Sequence, residues 1–153
     1  GPIIFKQERI GYHGKPFMMY KFRSMKVQDP GLEKSEWTTK NDPRKTLVGN
    51  FIRRTSIDEL PQFFNVFLGT MSLVGTRPPT VDEVEQYEAA QWRRISIKPG
   101  ITGMWQVNGR SNVTDFDKVV QMDVDYIDNW SLMLDIKIIF KTFLVLLGHD
   151  GAY

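Results

Sequence analysis

Asp58 and Glu59 are adjacent carboxylates, preceded by Arg53 and Arg54 and followed at once by the apolar run Leu60 to Leu68. Charged groups that avoid a core stand directly beside residues that need one. That conflict points to a site for anionic, phosphorylated chemistry. Adjacent carboxylates suit a division of labour in which one is a nucleophile and the other a Mg²⁺ ligand. They do not suit glycoside hydrolysis, where two carboxyl groups flank a bond from opposite sides, about 5–9 Å apart. Neighbours on a helix diverge by about 100° and approach a ligand from the same side. The chemistry makes three demands of Asp58: it must be ionised, reachable by solvent and close to guanidinium groups.

Local signals around the pair allow more than one backbone. Ser56 and Glu59 fit the S-x-x-E capping box, which puts both acids in a helix's first turn and keeps them ionised. Pro61 then falls beyond that turn, where it removes a hydrogen bond and bends the chain. Alternatively Asp58 is itself the N-cap and Pro61 lies inside the first turn. The same S-x-D-E start also opens helices with no activity.

Arginines supply the complementary charge. A guanidinium grips phosphate oxygens two at a time, which an anionic nucleophile attacking a phosphodiester requires. One of Arg53 and Arg54 is accounted for by a surface pair with Asp58 or Glu59. Arg77 lies between Gly75 and Pro78, in a loop where a long basic side chain has no helical role, and is read as functional. Asn108-Gly109-Arg110-Ser111 is a polar turn with a basic tip, either a diphosphate or uridine contact or a plain turn. His13 and His149 are read as solvated. No HExxH, Cys/His cluster, P-loop or GxGxxG occurs.

The elements that must position these groups follow from periodicity. Residues 2–10 and 16–25 read as a hairpin around Gly11-Tyr12-His13-Gly14. Residues 27–45 are a polar loop with turn signals at Asp29-Pro30-Gly31 and Asn41-Asp42-Pro43. A helix over 44–54 is expected to bury Leu47, Val48, Phe51 and Ile52. Leu60, Phe63, Phe64 and Phe67 have helical spacing, stopped by Gly69. Thr80 and Glu83 form a second capping-box pair, opening a charged helix to about Arg94. Met104 to Val107 reads as a short strand, and residues 114–130 and 131–147 as two helices. The second of these is too short and too charged to span a bilayer. It lies either in the core, the better-supported reading, or in the membrane interface. Trp92, Trp105 and Trp130 are core or interface anchors.

Composition sets the bounds. The 153 residues are a single-domain length, and 41% hydrophobic content is enough for a core. The absence of cysteine excludes disulfides and thiolate chemistry. A net charge of +2 is too small to argue for nucleic acid by itself. Distribution says more: Lys6, Arg9, Lys15, Lys21, Arg23 and Lys26 crowd the first stretch, with Glu8 the one acid among them. Lys6, Arg9, Lys21, Arg23 and Arg110 therefore join Arg53 and Arg77 as candidates for binding an anionic substrate. The fold class expected is α+β, mostly helical, with a small N-terminal hairpin and long loops, at a membrane surface.

Taken in order, several segments resemble the bacterial sugar transferase family, the monotopic polyprenyl-phosphate phosphoglycosyl transferases. They are Gly1-Pro2-Ile3-Ile4-Phe5-Lys6-Gln7, Tyr20-Lys21-Phe22-Arg23-Ser24-Met25, Thr55-Ser56-Ile57-Asp58-Glu59-Leu60-Pro61-Gln62, Met71-Ser72-Leu73-Val74-Gly75-Thr76-Arg77-Pro78, Lys98-Pro99-Gly100-Ile101-Thr102-Gly103 and Trp105-Gln106-Val107-Asn108-Gly109-Arg110. The likeness spans nearly all of residues 1–153, read as one catalytic domain. Thr76 departs from it, since the family usually has proline there, and is expected to alter loop stiffness and not chemistry. Members carry a re-entrant membrane helix just before the Gly-Pro; this sequence holds none. The resemblance implies attack by Asp58 on the β-phosphorus of a UDP-sugar, release of UMP, and transfer of the phosphoryl-sugar to polyprenyl phosphate. It gives Glu59 a Mg²⁺, with Asp58 beside it, and makes Arg53 and Arg77 phosphate ligands. The Trp105 to Arg110 segment and the tail from Gly148 to Tyr153 look like the larger branch, which starts exopolysaccharide, capsule or O-antigen synthesis. By analogy the donor is UDP-glucose or UDP-galactose and the location the cytoplasmic face of the bacterial inner membrane. Two rivals are a non-catalytic membrane-surface scaffold and a nucleic-acid binder using Lys6 to Lys26 with Tyr12, Phe17 and Tyr20 as stacking groups. The charge balance counts against the latter.

Overall fold

A two-stranded antiparallel hairpin opens the chain. The computed structural model describes residues 2–26, 42–108 and 115–148. The turn signals at 29–31 and Asn41, the basic tip at Arg110, and His149 onward lie outside the described residues. Strand β1 (Ile4–Ile10) pairs with β2 (Pro16–Phe22), from Ile4 opposite Phe22 to Ile10 opposite Pro16. The linking turn needs left-handed backbone at His13 (φ 57°) and Gly14 (φ 77°). Side chains alternate across the pleat, so Phe5, Gln7 and Arg9 share a face with Lys21, Met19 and Phe17.

Both outer edges of this hairpin are covered. On the β1 side Ile10 N–H donates to Pro79 O at 2.9 Å, and Arg9 bridges to Thr80. On the β2 side a single asparagine stands in for a strand. Asn65 Oδ1 accepts from Tyr20 N–H at 3.1 Å, and its Nδ2 donates to Met18 O at 2.7 Å.

Helix α1 (Leu47–Arg54) is N-capped by Thr46, whose Oγ1 accepts from Gly49 N–H. Its orientation overturns the expectation. Leu47, Val48 and Phe51 are exposed, Leu47 by 91%, and Ile52 is half-buried. The buried residue is Gly49, where an added Cβ would stand 1.8 Å from Ser24 O. The helix reaches its neighbour through its smallest residue and turns its large ones outward. Helix α2 (Gln62–Leu68) does the same: Gln62 and Asn65 are buried, while Phe63, Phe64 and Phe67 are exposed. Gly69 ends it at φ 84°, as its position foretold.

A short parallel pair, β3 (Ser72–Val74) and β4 (Gly100–Thr102), brings two Gly-rich loops together. A Cβ on Gly100 would lie 2.0 Å from Gly75 N, and one on Gly103 2.0 Å from Gly75 O. The loops interlock backbone against backbone, which only glycine permits. Helix α3 (Val81–Glu85) carries the foreseen capping box but stops at Glu85; a 3₁₀ turn, Gln91–Ile95, follows in place of one continuous helix. That break turns Arg94 inward, where it is 1% exposed and donates from Nε to Asp123 Oδ2 at 2.7 Å and from Nη1 to Tyr87 OH at 2.9 Å. Burial opposes the Arg94 charge more than any one neighbour favours it, but Asp123, Tyr87 and Glu83 together outweigh burial and hold the guanidinium protonated.

Met104–Val107, expected as a strand, is a helical turn, α4. It is followed by α5 (Phe116–Asp128), capped by Asp115, and α6 (Leu132–Gly148). Val74, Val107, Tyr126 and Ile138 form a buried cluster. The core reading of α6 is corrected: Ile138 is its one buried residue, and Leu132, Met133, Ile136, Phe140, Phe143, Leu144 and Leu147 are exposed. Among the described residues no helix is long and apolar enough to cross a membrane. Trp105 is buried; Trp92 and Trp130 are exposed. The architecture is α+β as expected.

Candidate functional site

The backbone around the acid pair matches neither alternative read from the sequence. Ile57–Glu59 is a separate 3₁₀ turn with Asp58 and Glu59 in it. Ser56 precedes it in left-handed conformation (φ 58°, ψ 17°), and its side chain makes no cap, so the first capping box is absent. Pro61 begins α2 at its N-cap (φ −61°). Leu60 N–H donates to Ile57 O and Phe63 N–H to Leu60 O, so the hydrogen bonds step over the proline where no N–H is needed. The sharp turn at Ser56 is what separates the acids from α1, because Ser56 N–H is already tied to Arg53 O at 3.1 Å. A left-handed non-glycine residue beside a carboxylate pair is strain of the kind that gathers at working sites.

Asp58 is 7% exposed, which corrects the expectation of a carboxylate open to solvent. The 3₁₀ turn packs against β2 and α1, and that contact withdraws it. Glu59 lies nearer the surface and pairs with Lys21 Nζ at 3.7 Å. Lys21 therefore brings positive charge to the acid pair from the hairpin face described above. Arg53 occupies the last turn of α1, where a cation complements the helix end. Its charge, second to burial, lowers the pKa of Lys45.

A second station lies on the same hairpin face. Lys21 pairs with Phe5, four residues from Arg9, so the two basic residues stand about 13 Å apart along the strand. Arg9 is itself 7% exposed and fully engaged. Its Nη1 donates to Pro78 O at 2.8 Å, and its Nε and Nη2 donate to Gln7 Oε1 at 3.0 and 2.6 Å. Burial, then the neighbouring Arg77, pushes its pKa down to about 9. Arg9 thus holds the Arg77 loop instead of meeting a ligand with its own guanidinium.

Arg77 has fixed ground on either side. Before it, Gly75 is wedged against Lys98 O and Gly100 N, and Thr76 Oγ1 donates to Arg94 O at 2.7 Å. After it, Pro78 is held by Arg9. The Thr76 hydroxyl makes a bond no proline could offer, so the departure at this position adds an anchor. The Arg77 guanidinium sits 5.5 Å from the centre of the Trp105 ring, with Nη1 3.5 Å from Glu83 Oε1.

The other candidates go elsewhere. Lys6 is on the opposite hairpin face, over the Tyr20 ring at 5.8 Å. Arg23 donates to Pro2 O at 2.9 Å and stacks on Phe5, lining a groove with Pro2, Ile3 and Val48 that includes neither acid. Glu83 and Trp105 as partners of Arg77, and Asn65 as a clamp, went unforeseen. Only Glu83 left a trace in the sequence, through its capping box. Among the described residues no group of three or more His, Cys, Asp or Glu gathers around one point. Two hard carboxylate oxygens are nevertheless what Mg²⁺ takes from a protein when substrate phosphates complete its shell.

The geometry therefore offers a withdrawn carboxylate, a second beside it on a lysine, and an arginine presented from an interlocked loop. Residues 1–149 match the family profile described as bacterial sugar transferase. The chain is 54% identical over 162 residues to a galactosyl transferase, CpsE, of Streptococcus agalactiae serotype III, with 99% of this chain and 36% of that protein covered. It is 49% identical over 168 residues to an undecaprenyl-phosphate galactose phosphotransferase of Salmonella typhimurium, covering 100% and 35%. It is 48% identical over 160 residues to a UDP-glucose:undecaprenyl-phosphate glucose-1-phosphate transferase of Escherichia coli K12, covering 100% and 34%. The chain spans about a third of the length of these relatives.

Proposed function

The chain belongs to the bacterial sugar transferase family, and from that premise we propose that it transfers a hexose-1-phosphate from a UDP-hexose to polyprenyl phosphate at a membrane surface. A carboxylate oxygen of Asp58 attacks the β-phosphorus of the donor. The bond from that phosphorus to the bridging oxygen breaks, and UMP leaves with the electron pair. A phosphate oxygen of the lipid then attacks the same phosphorus and frees Asp58, giving a polyprenyl-diphosphate-sugar.

The observation that carries this reading is the acid pair itself: Asp58 is buried in a strained one-turn segment beside Glu59 and Lys21. A carboxylate held out of bulk water has less hydration to shed before it attacks. Lys21, beside the acid pair, and Arg77, on its interlocked loop, would supply positive charge for the diphosphate. Glu59, with Asp58, is the group that would hold Mg²⁺; the ion would neutralise diphosphate charge. The exposed apolar faces of α1, α2 and α6 support placement against lipid, at the cytoplasmic face of the bacterial inner membrane, where a lipid-linked acceptor would meet a nucleotide donor.

The test uses the full-length protein that contains this chain, with Mg²⁺, UDP-glucose or UDP-galactose, and polyprenyl phosphate in detergent. UMP release and a phosphoryl-hexose adduct on Asp58 are expected. An adduct that still forms on Asp58→Asn refutes the nucleophile, and absence of UMP with every donor refutes the reaction.

A further inference from the structure

Resting on that reading of Arg77, we propose that Glu83 is an exchangeable counter-ion: it occupies the Arg77 guanidinium in the ligand-free protein and yields it to the donor's phosphate. Arg9, Arg77 and Glu83 meet at this point of the fold. Arg9 is buried, its charge opposed by burial and by Arg77 and favoured by Glu83. Arg77 and Glu83 stand 3.5 Å apart, with side chains about a quarter and a fifth exposed. Arg94 and Asp123 lie close enough to act on Glu83 and Arg77 as well, and the part of the cluster open to solvent is the Arg77–Glu83 contact.

Each partner is held differently. Arg9 is spent on Gln7 and Pro78 O and does not move with a ligand. The Arg77 backbone is fixed by Gly75, Thr76 and Pro78, and its side chain lies on the Trp105 ring. Glu83 is anchored at the third residue of α3, where its N–H donates to Thr80 Oγ1 and its Oε2 accepts a long bond of 3.4 Å from Thr80 N–H. At 3.5 Å the Arg77–Glu83 approach is longer than the hydrogen bonds of the two-pronged grip a guanidinium makes with a phosphate. A phosphate competing for Arg77 therefore trades a weak contact for a strong one. Glu83, released, still has its capping role and is not stranded. The carboxylate sets the threshold of the site: it keeps Arg77 from gripping a weakly charged anion and sets how tightly a diphosphate is held.

Glu83→Gln separates charge from structure, because glutamine also completes a capping box. Asp82→Asn removes one charge from the exposed first turn of the same helix and serves as the control. Affinities for UMP and for inorganic pyrophosphate are measured by calorimetry in both variants and in the parent, with melting curves as a check on folding. Glu83→Gln is expected to bind both probes more tightly by roughly three- to tenfold, and Asp82→Asn to stay within about twofold. In an Arg77→Met background most of the Glu83→Gln gain should vanish. Unchanged or weaker binding by Glu83→Gln, an equal gain in Asp82→Asn, or a gain that survives Arg77→Met overturns the proposal. Tighter pyrophosphate binding by Glu83→Gln with no UMP binding by any form leaves the counter-ion in place and sinks the UDP-sugar reading instead.

Discussion

Ser56 holds a left-handed conformation that costs a non-glycine residue about 1–2 kcal/mol, and the chain keeps it two residues before Asp58. The turn serves position: it ends α1 and re-aims the next three residues into the contact with β2. Asp58→Asn keeps the shape and removes the charge, so UMP release should fall by on the order of a thousandfold or more while the melting temperature holds or rises. A second carboxylate gives a pH signature unrelated to activity. Hydrogen bonds from Arg44 Nε and Nη2, at 2.9 and 2.5 Å, outweigh burial and hold the Asp42 pKa down to about 2. A depressed pKa contributes stability above the unfolded value of 3.8 and loses it as pH falls toward 2. Acid titration of stability should therefore show a loss between about pH 4 and pH 2 that is smaller in Asp42→Asn. The acid pair was legible in the sequence because two adjacent carboxylates before an apolar run are conspicuous. The Ser56 turn was not, since nothing in a serine announces positive φ.

Helix α2 is the element whose reading failed most usefully. Its apolar period was correctly identified, and its stop at Gly69 also. Periodicity says which side chains share a face, but not which way that face looks. Here the core side is held by Gln62 and Asn65, both buried, and the phenylalanines look outward. Asn65 is the fastening. Removing its amide leaves Tyr20 N–H and Met18 O without partners at the edge of β2. Asn65→Ala is expected to destabilise the protein by about 2–4 kcal/mol, read in denaturant unfolding, with hairpin amide exchange accelerated first. The same limit explains α1, where a glycine marks the packed side. Met104–Val107 was misread for another reason: four apolar residues fit a strand or a helical turn equally, and the extended Gly103 beside Gly75 decided it. The Thr80–Glu83 cap was readable because it is local; its link to Arg77 was not.

At the scale of the molecule, polar contacts hold the site together while much of the apolar surface lies outside. Leu47, Phe67 and Leu147 are each more than three-quarters exposed, on three different helices. The proposed placement against lipid would account for that distribution, because a lipid surface removes the need to hide it. Phe67 is 84% exposed, so Phe67→Glu should leave the melting temperature within about 2 °C and reduce sedimentation with phospholipid vesicles severalfold. Equal vesicle binding by the variant and the parent would show that α2 does not touch the bilayer. The overall class, the hairpin and the two closing helices were visible in the sequence. The outward aim of the apolar faces was not, because composition counts greasy residues without saying what they face.

The interlock of Gly75, Gly100 and Gly103 carries one more consequence. A side chain on Gly100 or Gly103 would claim space that Gly75 occupies, and one on Gly75 would claim that of Gly100, so the two loops can drift only as a matched set. Loops from a homologous chain can therefore be spliced between Val74 and Gly103 if the donor keeps glycine at all three positions, and a donor with any side chain at one of them forces the loops apart.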